Sequence, residues 1–337
     1  MGSGQGIVID HVARQGYYLY RCSHLPPHRE DPPQWPGEEG GVVRTRIPWV
    51  VDERGRRGFA WNPVTGCSPA SEGCERCYAR RSARWLAGRF GYPQGDPFAV
   101  TLHHDLLTAP MARARGTTIF VCSMGDLLHP QVPTEFVSEV WCTMAKCQQH
   151  RFVVLTKRPD RLVREWEAIT SGLVLPNVVV GVSCENQARA DERIPWLLRM
   201  KEPLLAVSLE PLLGQIDLLD VRYQGLVTID ALRGFCRGPL DVVPPGLCRR
   251  LHWVIAGAES DEAGRPGRAC SDEWLEGIAD QCEAAGVPFF LKQRHIDGEL
   301  VHTRELGGRI WRQVPWVTAE EGESREVEES GRPDEGD

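Results

Sequence analysis

Residues 152–209 carry three short apolar runs, Phe152-Val-Val-Leu155, Val178-Val-Val-Gly-Val182 and Leu204-Leu-Ala-Val-Ser-Leu209. None alternates polar with apolar residues, the pattern of strands covered on both faces. Helix-like segments near Pro159–Ile169 and Ala188–Met200 separate them. Strand–helix alternation of this kind predicts a parallel sheet with right-handed crossovers. The rhythm extends outward through Phe59–Asn62, Phe98–Leu102 and Thr118–Cys122 on one side, and Trp253–Ala256 and Phe289–Leu291 on the other. Further helical segments lie near Tyr78–Phe90, Thr134–Gln149 and Ser271–Ala285, with Thr134 and Ser271 suited to N-capping. Eight strand segments predict an α/β fold, a parallel (β/α) barrel of TIM type, closed or partly open. A doubly wound open sheet is the alternative.

Residues 1–58 read as an appendage, with five prolines (Pro26, Pro27, Pro32, Pro33 and Pro36) in the linker-like stretch Ser23–Gly41. Residues 59–317 form the expected α/β unit. Residues 218–250 break its rhythm with Pro239, Pro244 and Pro245, as an insertion would. The last segment, 318–337, reads as a disordered acidic tail. Ala319–Asp337 holds nine acids and two arginines, and so accounts for the whole net charge of −7. The body is electrically neutral, which argues neither for nor against nucleic acid. No run of 18 apolar residues occurs, so no membrane span is expected. The start, Met1-Gly-Ser-Gly-Gln-Gly6, resembles neither a signal peptide nor a myristoylation site, and a cytoplasmic location is expected.

Polar residues follow many of the apolar runs: Ser123 and Asp126, Lys157, Ser183 and Glu185, Glu210, Glu259, and Lys292. In a parallel barrel every strand's C-terminal end opens on one face, so these residues are expected to share a polar cavity.

The densest chemistry is in Trp61-Asn-Pro-Val-Thr-Gly-Cys67-Ser-Pro-Ala-Ser-Glu-Gly-Cys74-Glu-Arg-Cys77-Tyr78-Ala79. Its three cysteines sit in a Gly/Pro/Ser loop between a strand and a helix. The chain has twelve cysteines, too few for a disulfide scaffold, so a tight cluster points to metal or catalysis. Thiolates select zinc or iron–sulfur clusters. A structural zinc site wants four ligands; three cysteines on a [4Fe–4S] cluster leave one iron with an open position. Zinc completed by a distant His or Cys, and three unrelated thiols, are the alternatives. The remaining cysteines are scattered, with Cys122 and Cys184 at strand ends.

With these residues the chain resembles the phage gp thirty-seven / gp sixty-eight family of three-cysteine proteins. The likeness spans about Phe59 to Pro315. It includes the Trp61–Ala79 loop, Phe120-Val-Cys-Ser-Met-Gly-Asp-Leu-Leu-His129, Leu155-Thr-Lys-Arg-Pro159, Gly181-Val-Ser-Cys-Glu-Asn-Gln187, Leu209-Glu-Pro-Leu-Leu213, Trp253-Val-Ile-Ala-Gly-Ala-Glu-Ser260 and Phe289-Phe-Leu-Lys-Gln293. That family is similar to radical S-adenosylmethionine (SAM) proteins, nearest in motif style to spore photoproduct lyases, which also place a tyrosine after the third cysteine, as Tyr78 is here. The resemblance implies a radical SAM-type barrel. Cys67, Cys74 and Cys77 would hold a [4Fe–4S] cluster whose free iron binds SAM, and a reductant such as flavodoxin or ferredoxin would supply an electron. Cleavage of SAM then yields a 5′-deoxyadenosyl radical that abstracts hydrogen from a substrate. The positions matching SAM contacts are Gly125-Asp126, where Gly125 replaces the usual Ser, together with Lys157 and Ser183; the C-x6-C-x2-C spacing is longer in its first gap than the common C-x3-C-x2-C.

The substrate is open among nucleic acid, a small metabolite and a peptide. Arg80, Arg81, Arg84 and Arg89 follow the cysteines and could meet phosphates, though a solvated helix face also explains them. Two other function classes compete: a phage or mobile-element interaction protein with a structural metal or cluster, and a metal-dependent hydrolase using His103, His104 and His129. So polar a tail can bury little apolar surface. Deleting Glu320–Asp337 is therefore expected to leave the thermal unfolding midpoint unchanged, as followed by circular dichroism.

Overall fold

A computed structural model describes residues 41–239, 242–243, 247–262 and 265–316. The linker before residue 41 and the acidic tail lie outside the described residues. The core is one eight-stranded sheet. In chain order its strands are β1 (Val42–Arg44), β2 (Phe59–Trp61), β3 (Thr118–Val121), β4 (Arg151–Thr156), β5 (Val178–Ser183), β6 (Leu204–Leu209), β7 (Trp253–Ala256) and β8 (Phe289–Leu291). The spatial order equals the chain order. β2 to β8 run parallel, and β1 pairs antiparallel with β2. The helices are α1 (Tyr78–Leu86), α2 (Thr134–Lys146), α3 (Pro159–Arg164), α4 (Trp166–Thr170), α5 (Gln187–Leu197) and α6 (Asp272–Ala285). The Ser271 hydroxyl accepts from Glu273 N and caps α6, as expected. Thr134 instead begins α2 behind Pro133, and its hydroxyl donates to Glu165.

Along β4 the side chains alternate between two cores. Phe152 and Val154 join the large cluster under the helices; Val153 and Leu155 join a second cluster on the other face. That second cluster is built on Trp49, whose ring centroid lies 4.8 Å from Phe120 of β3 and 5.7 Å from Trp253 of β7. On a flat sheet those strands would stand four spacings apart, about 19 Å. The sheet therefore curves around Trp49. Gly181 permits the curve on β5, because a Cβ there would meet Leu155 Cδ2 at 2.6 Å and Ala206 O at 2.8 Å.

The expected barrel is not found. No ladder joins β1 or β2 to β8 among the described residues. The free edge of β8 is taken by the chain's own C-terminal segment: Leu291 N donates to Trp311 O, and Gln313 N to Phe289 O. β1 covers the opposite edge, that of β2. Among the described residues the two edges are covered without pairing with each other, and no closed barrel is found. Its sequential order also differs from a doubly wound sheet, whose order reverses.

Three smaller differences follow. Phe98–Leu102 contributes no strand to this sheet; only Thr101–Leu102 pairs, antiparallel, with Val64–Thr65. Its place is filled by β1, from the stretch read as an appendage, where Trp49 and Val50 are core residues. The insertion forms a three-stranded antiparallel sheet, and its Val221, Val227 and Ile229 are fully buried in the large core. Among the described residues no helix is long and apolar enough to cross a membrane. Trp49→Ala would leave a cavity between Phe120, Trp253 and the curved sheet, and is expected to cost ~3–5 kcal/mol in urea unfolding.

Candidate functional site: the cysteine loop and its cavity

The loop leaves β2 through Gly66, at φ +80°, where a Cβ would lie 2.1 Å from Ala99 O. Gly66 N donates to Met124 O and Cys67 N to Phe98 O, which fixes the first cysteine. A single turn, Glu72–Cys74, positions the second. Cys77 stands at the N-cap of α1 with extended backbone, and α1 starts at Tyr78. All three thiols are unpaired and line one cavity with Tyr78, Ser123, Asp126, Lys157, Ser183, Glu210, Glu259 and Lys292. Every strand-end residue singled out from sequence thus reaches this cavity or, for Glu185, its wall.

β4 ends in Thr156-Lys157-Arg158, which grips the loop. Lys157 Nζ lies 3.7 Å from Cys74 Sγ, 3.4 Å from Ser71 Oγ and 3.5 Å from Glu185 Oε1. Arg158 Nη1 lies 3.6 Å from Cys67 Sγ and donates to Asp126 Oδ2 at 2.8 Å, while Nη2 donates to Ser68 O. Asp126 also accepts from Thr156 Oγ1, Leu128 N and Lys157 N. Four donors fill a carboxylate's acceptor capacity, so Asp126 acts by aiming Arg158 rather than by offering a free oxygen. Gly125 has a structural reason too: a Cβ there would meet Gly66 O at 2.9 Å, which leaves no space for a serine.

Glu185, at the end of β5, has no side-chain exposure. It accepts from Gly73 N at 3.2 Å and from Arg193 Nη1 at 2.9 Å. Burial opposes its charge, but Lys157 and Arg193 outweigh burial and hold the carboxyl below its usual range. A Cβ on Gly73 would stand 2.8 Å from Lys157 Nζ and 3.0 Å from the Glu185 carboxyl, so a larger residue here would push the lysine ammonium aside. The Ser183 hydroxyl has no partner among the described residues and faces the cavity, while its carbonyl accepts from Arg193. Tyr78 OH donates to Ser123 O at 2.5 Å, and Ser123 Oγ donates to Asn62. Burial of the hydroxyl, then the charges of Cys77 and Glu210, push the Tyr78 phenol up. Lys292 Nζ pairs with Glu210 at 3.0 Å. Arg268 grips Glu259 and donates to Glu72 O. Burial opposes the Glu259 charge, and the Arg268 hydrogen bonds outweigh it to hold that carboxyl low.

The thiols differ. Burial and then Asp126 push Cys67 up to about 11. Cys74 resists burial because the Lys157 ammonium and the Ala70 N–H hold it below the usual thiol value. Cys122 and Cys184 are buried, and burial pushes both thiols up. Among the described residues no three His, Cys, Asp or Glu side chains are grouped closely enough to hold a metal ion as they stand. The loop must tighten for its thiols to share a centre. The three histidines considered for a hydrolase do not converge: His103 bonds to Thr65, His129 to Ser68, and His104 packs edge-on against Phe136.

Sequence reasoning missed Arg158, Asn62, Arg193 and Arg268. The first two follow strands directly, so the strand-end rule could have found them; Arg193 and Arg268 carry no such signal.

Residues 44–315 match a family model described as a protein of unknown function, DUF5131. The chain belongs to that family. No curated protein and no solved structure matches it.

Glu185→Ala would leave Arg193 and Lys157 without their buried partner, at an expected cost of ~3–5 kcal/mol at pH 7. A depressed carboxyl contributes stability above the unfolded value, about 4.3 for Glu, and loses it as pH falls toward the folded value. The part of the difference between wild type and Glu185→Gln that comes from the charge should therefore narrow below about pH 4.3 in urea titrations.

Proposed function

We propose that the chain is an iron–sulfur enzyme of the radical SAM type. The observation that carries this reading is the donor set: three cysteine thiols outside any disulfide, all from one loop, lining one polar cavity. The donor chemistry fits a [4Fe–4S] cluster held by Cys67, Cys74 and Cys77, leaving one iron for a ligand. When bound, such a cluster supplies the electron that splits SAM into methionine and a 5′-deoxyadenosyl radical, which abstracts hydrogen from a substrate.

The protein's own part is to orient and to exclude water. Lys157 Nζ, held only by contacts of 3.4–3.7 Å, can pair with a ligand carboxylate. The unpartnered Ser183 hydroxyl can bond a polar group of the same ligand. Arg158 and Glu185 hold the two ends of the Cys67–Cys74 gap. Loading deprotonates the thiols, and Cys67, whose thiol burial pushes up, must release its proton as metal enters. Lys292 and Glu210 pair in the same cavity and can meet a substrate's polar groups.

Anaerobically reconstituted protein should carry about four irons per chain, show a [4Fe–4S] signal when reduced, and release 5′-deoxyadenosine with SAM and dithionite. Cys67→Ala, Cys74→Ala and Cys77→Ala should each lose the iron. Lys157→Ala should keep the iron and weaken SAM binding. Stoichiometric zinc without iron under the same handling would overturn the reading in favour of a structural site.

A further inference from the structure

α1 begins at the third cysteine and leads away from the cavity. Its inner face is small: Ala79 and Ala83 are buried. Tyr78 turns its hydroxyl into the cavity, whereas Trp85, 74% exposed, stands on the outer face. Trp85 has no ring partner among the described residues, and its indole N–H bonds to nothing there. Arg84 beside it has no partner either, and Arg89 donates to Trp85 O. Arg81 is turned toward Glu262, and Arg80 lies over the Phe98 ring.

From Tyr78 to Gly95 the chain carries Arg80, Arg81, Arg84 and Arg89 and no Asp or Glu. This is a local positive lane on a neutral body. A solvated arginine face needs no aromatic, and a scattered surface aromatic needs no cations. Here one exposed indole is flanked in sequence by two exposed arginines, on the helix that starts at the cavity.

The geometry points to α1 as a platform for single-stranded nucleic acid, with Trp85 stacking on one base and Arg84 and Arg89 meeting the flanking phosphates. This deepens the proposed function by naming its substrate class. Stacking on every base face and contact with phosphate are the two features that such strands recognise. An acidic peptide would use the arginines alone. A bilayer would need a broader apolar face than one exposed tryptophan and one tyrosine.

The test uses the full-length, anaerobically reconstituted protein and a labelled oligo-dT of about twelve nucleotides, with binding read by fluorescence anisotropy across a salt series. Trp85→Ala should weaken binding roughly tenfold, within the range for losing one aromatic platform, and Trp85→Phe should restore most of it. The double variant Arg84→Ala, Arg89→Ala should lower the slope of log affinity against log salt by about 1.4, at about 0.7 per phosphate on a single strand. All three variants should keep wild-type iron content, because none of Arg84, Trp85 and Arg89 touches the thiols. Absence of oligonucleotide binding, affinity unchanged in Trp85→Ala, a salt slope unchanged in the arginine variant, or tighter binding to anionic vesicles than to the oligonucleotide would overturn the proposal. Failure here and failure of the cluster reading separate cleanly. Iron and 5′-deoxyadenosine without oligonucleotide binding sink only the platform; Trp85-dependent binding by a protein that takes up no iron sinks only the cluster.

Discussion

Glu185 could not remain charged at the end of β5 on its own. It has no side-chain exposure, and an isolated carboxylate taken from water that far would simply be protonated. Arg193 from α5 and Lys157 from β4 make its charge tenable, and Gly73 N uses it as an acceptor. One buried carboxylate thus joins two strand ends, a helix and the cysteine loop. Breaking it would leave two cations unmatched and a loop amide unbonded, so strand order, helix position and loop path are energetically one unit. The cavity depends on this unit, because Lys157 reaches Cys74 only while Glu185 holds it there.

Seven strands of the sheet were legible because burial on both faces needs continuous apolar runs, and Val178-Val-Val-Gly-Val182 has no other reading as clear. β1 was not legible. Val42-Val-Arg44 is too short to show a period and follows a proline-rich stretch. Phe98–Leu102 misled for the opposite reason: it is apolar because Phe98 packs with Ala79, Ala83 and Tyr92 under α1, not because it joins the sheet. Closure of the barrel depended on which segments reach the edges of β2 and β8. Those segments, near residues 42 and 311–313, are distant in sequence from the strands they cover, and nothing local encodes the encounter.

The site shows the same division. Strand-end residues were readable because parallel strands deliver their C-termini to one side. What each does there was less readable. Asp126 matches a position expected to touch a ligand, yet its oxygens are taken by Thr156, Arg158 and two backbone amides. Gly125 looked like a departure from a pattern, and the space beside Gly66 O explains it. Both facts are about volume and saturation, which only a folded neighbourhood defines.

The long first gap between Cys67 and Cys74 gains meaning from the same contacts. Six residues between two cysteines could be slack, and slack costs entropy when a loop is ordered. Here the gap is held almost residue by residue. Ser68 is bonded by Arg158 and His129, Ser71 by Lys157, Glu72 by Asn186, Arg189 and Arg268, and Gly73 by Glu185. These clamps come from the segment after β3, from the ends of β4 and β5, from α5, and from the segment after β7. A shorter gap would lose the reach to some of them. The extra residues therefore anchor the loop to five parts of the surrounding structure, and folding itself supplies most of the loop's order.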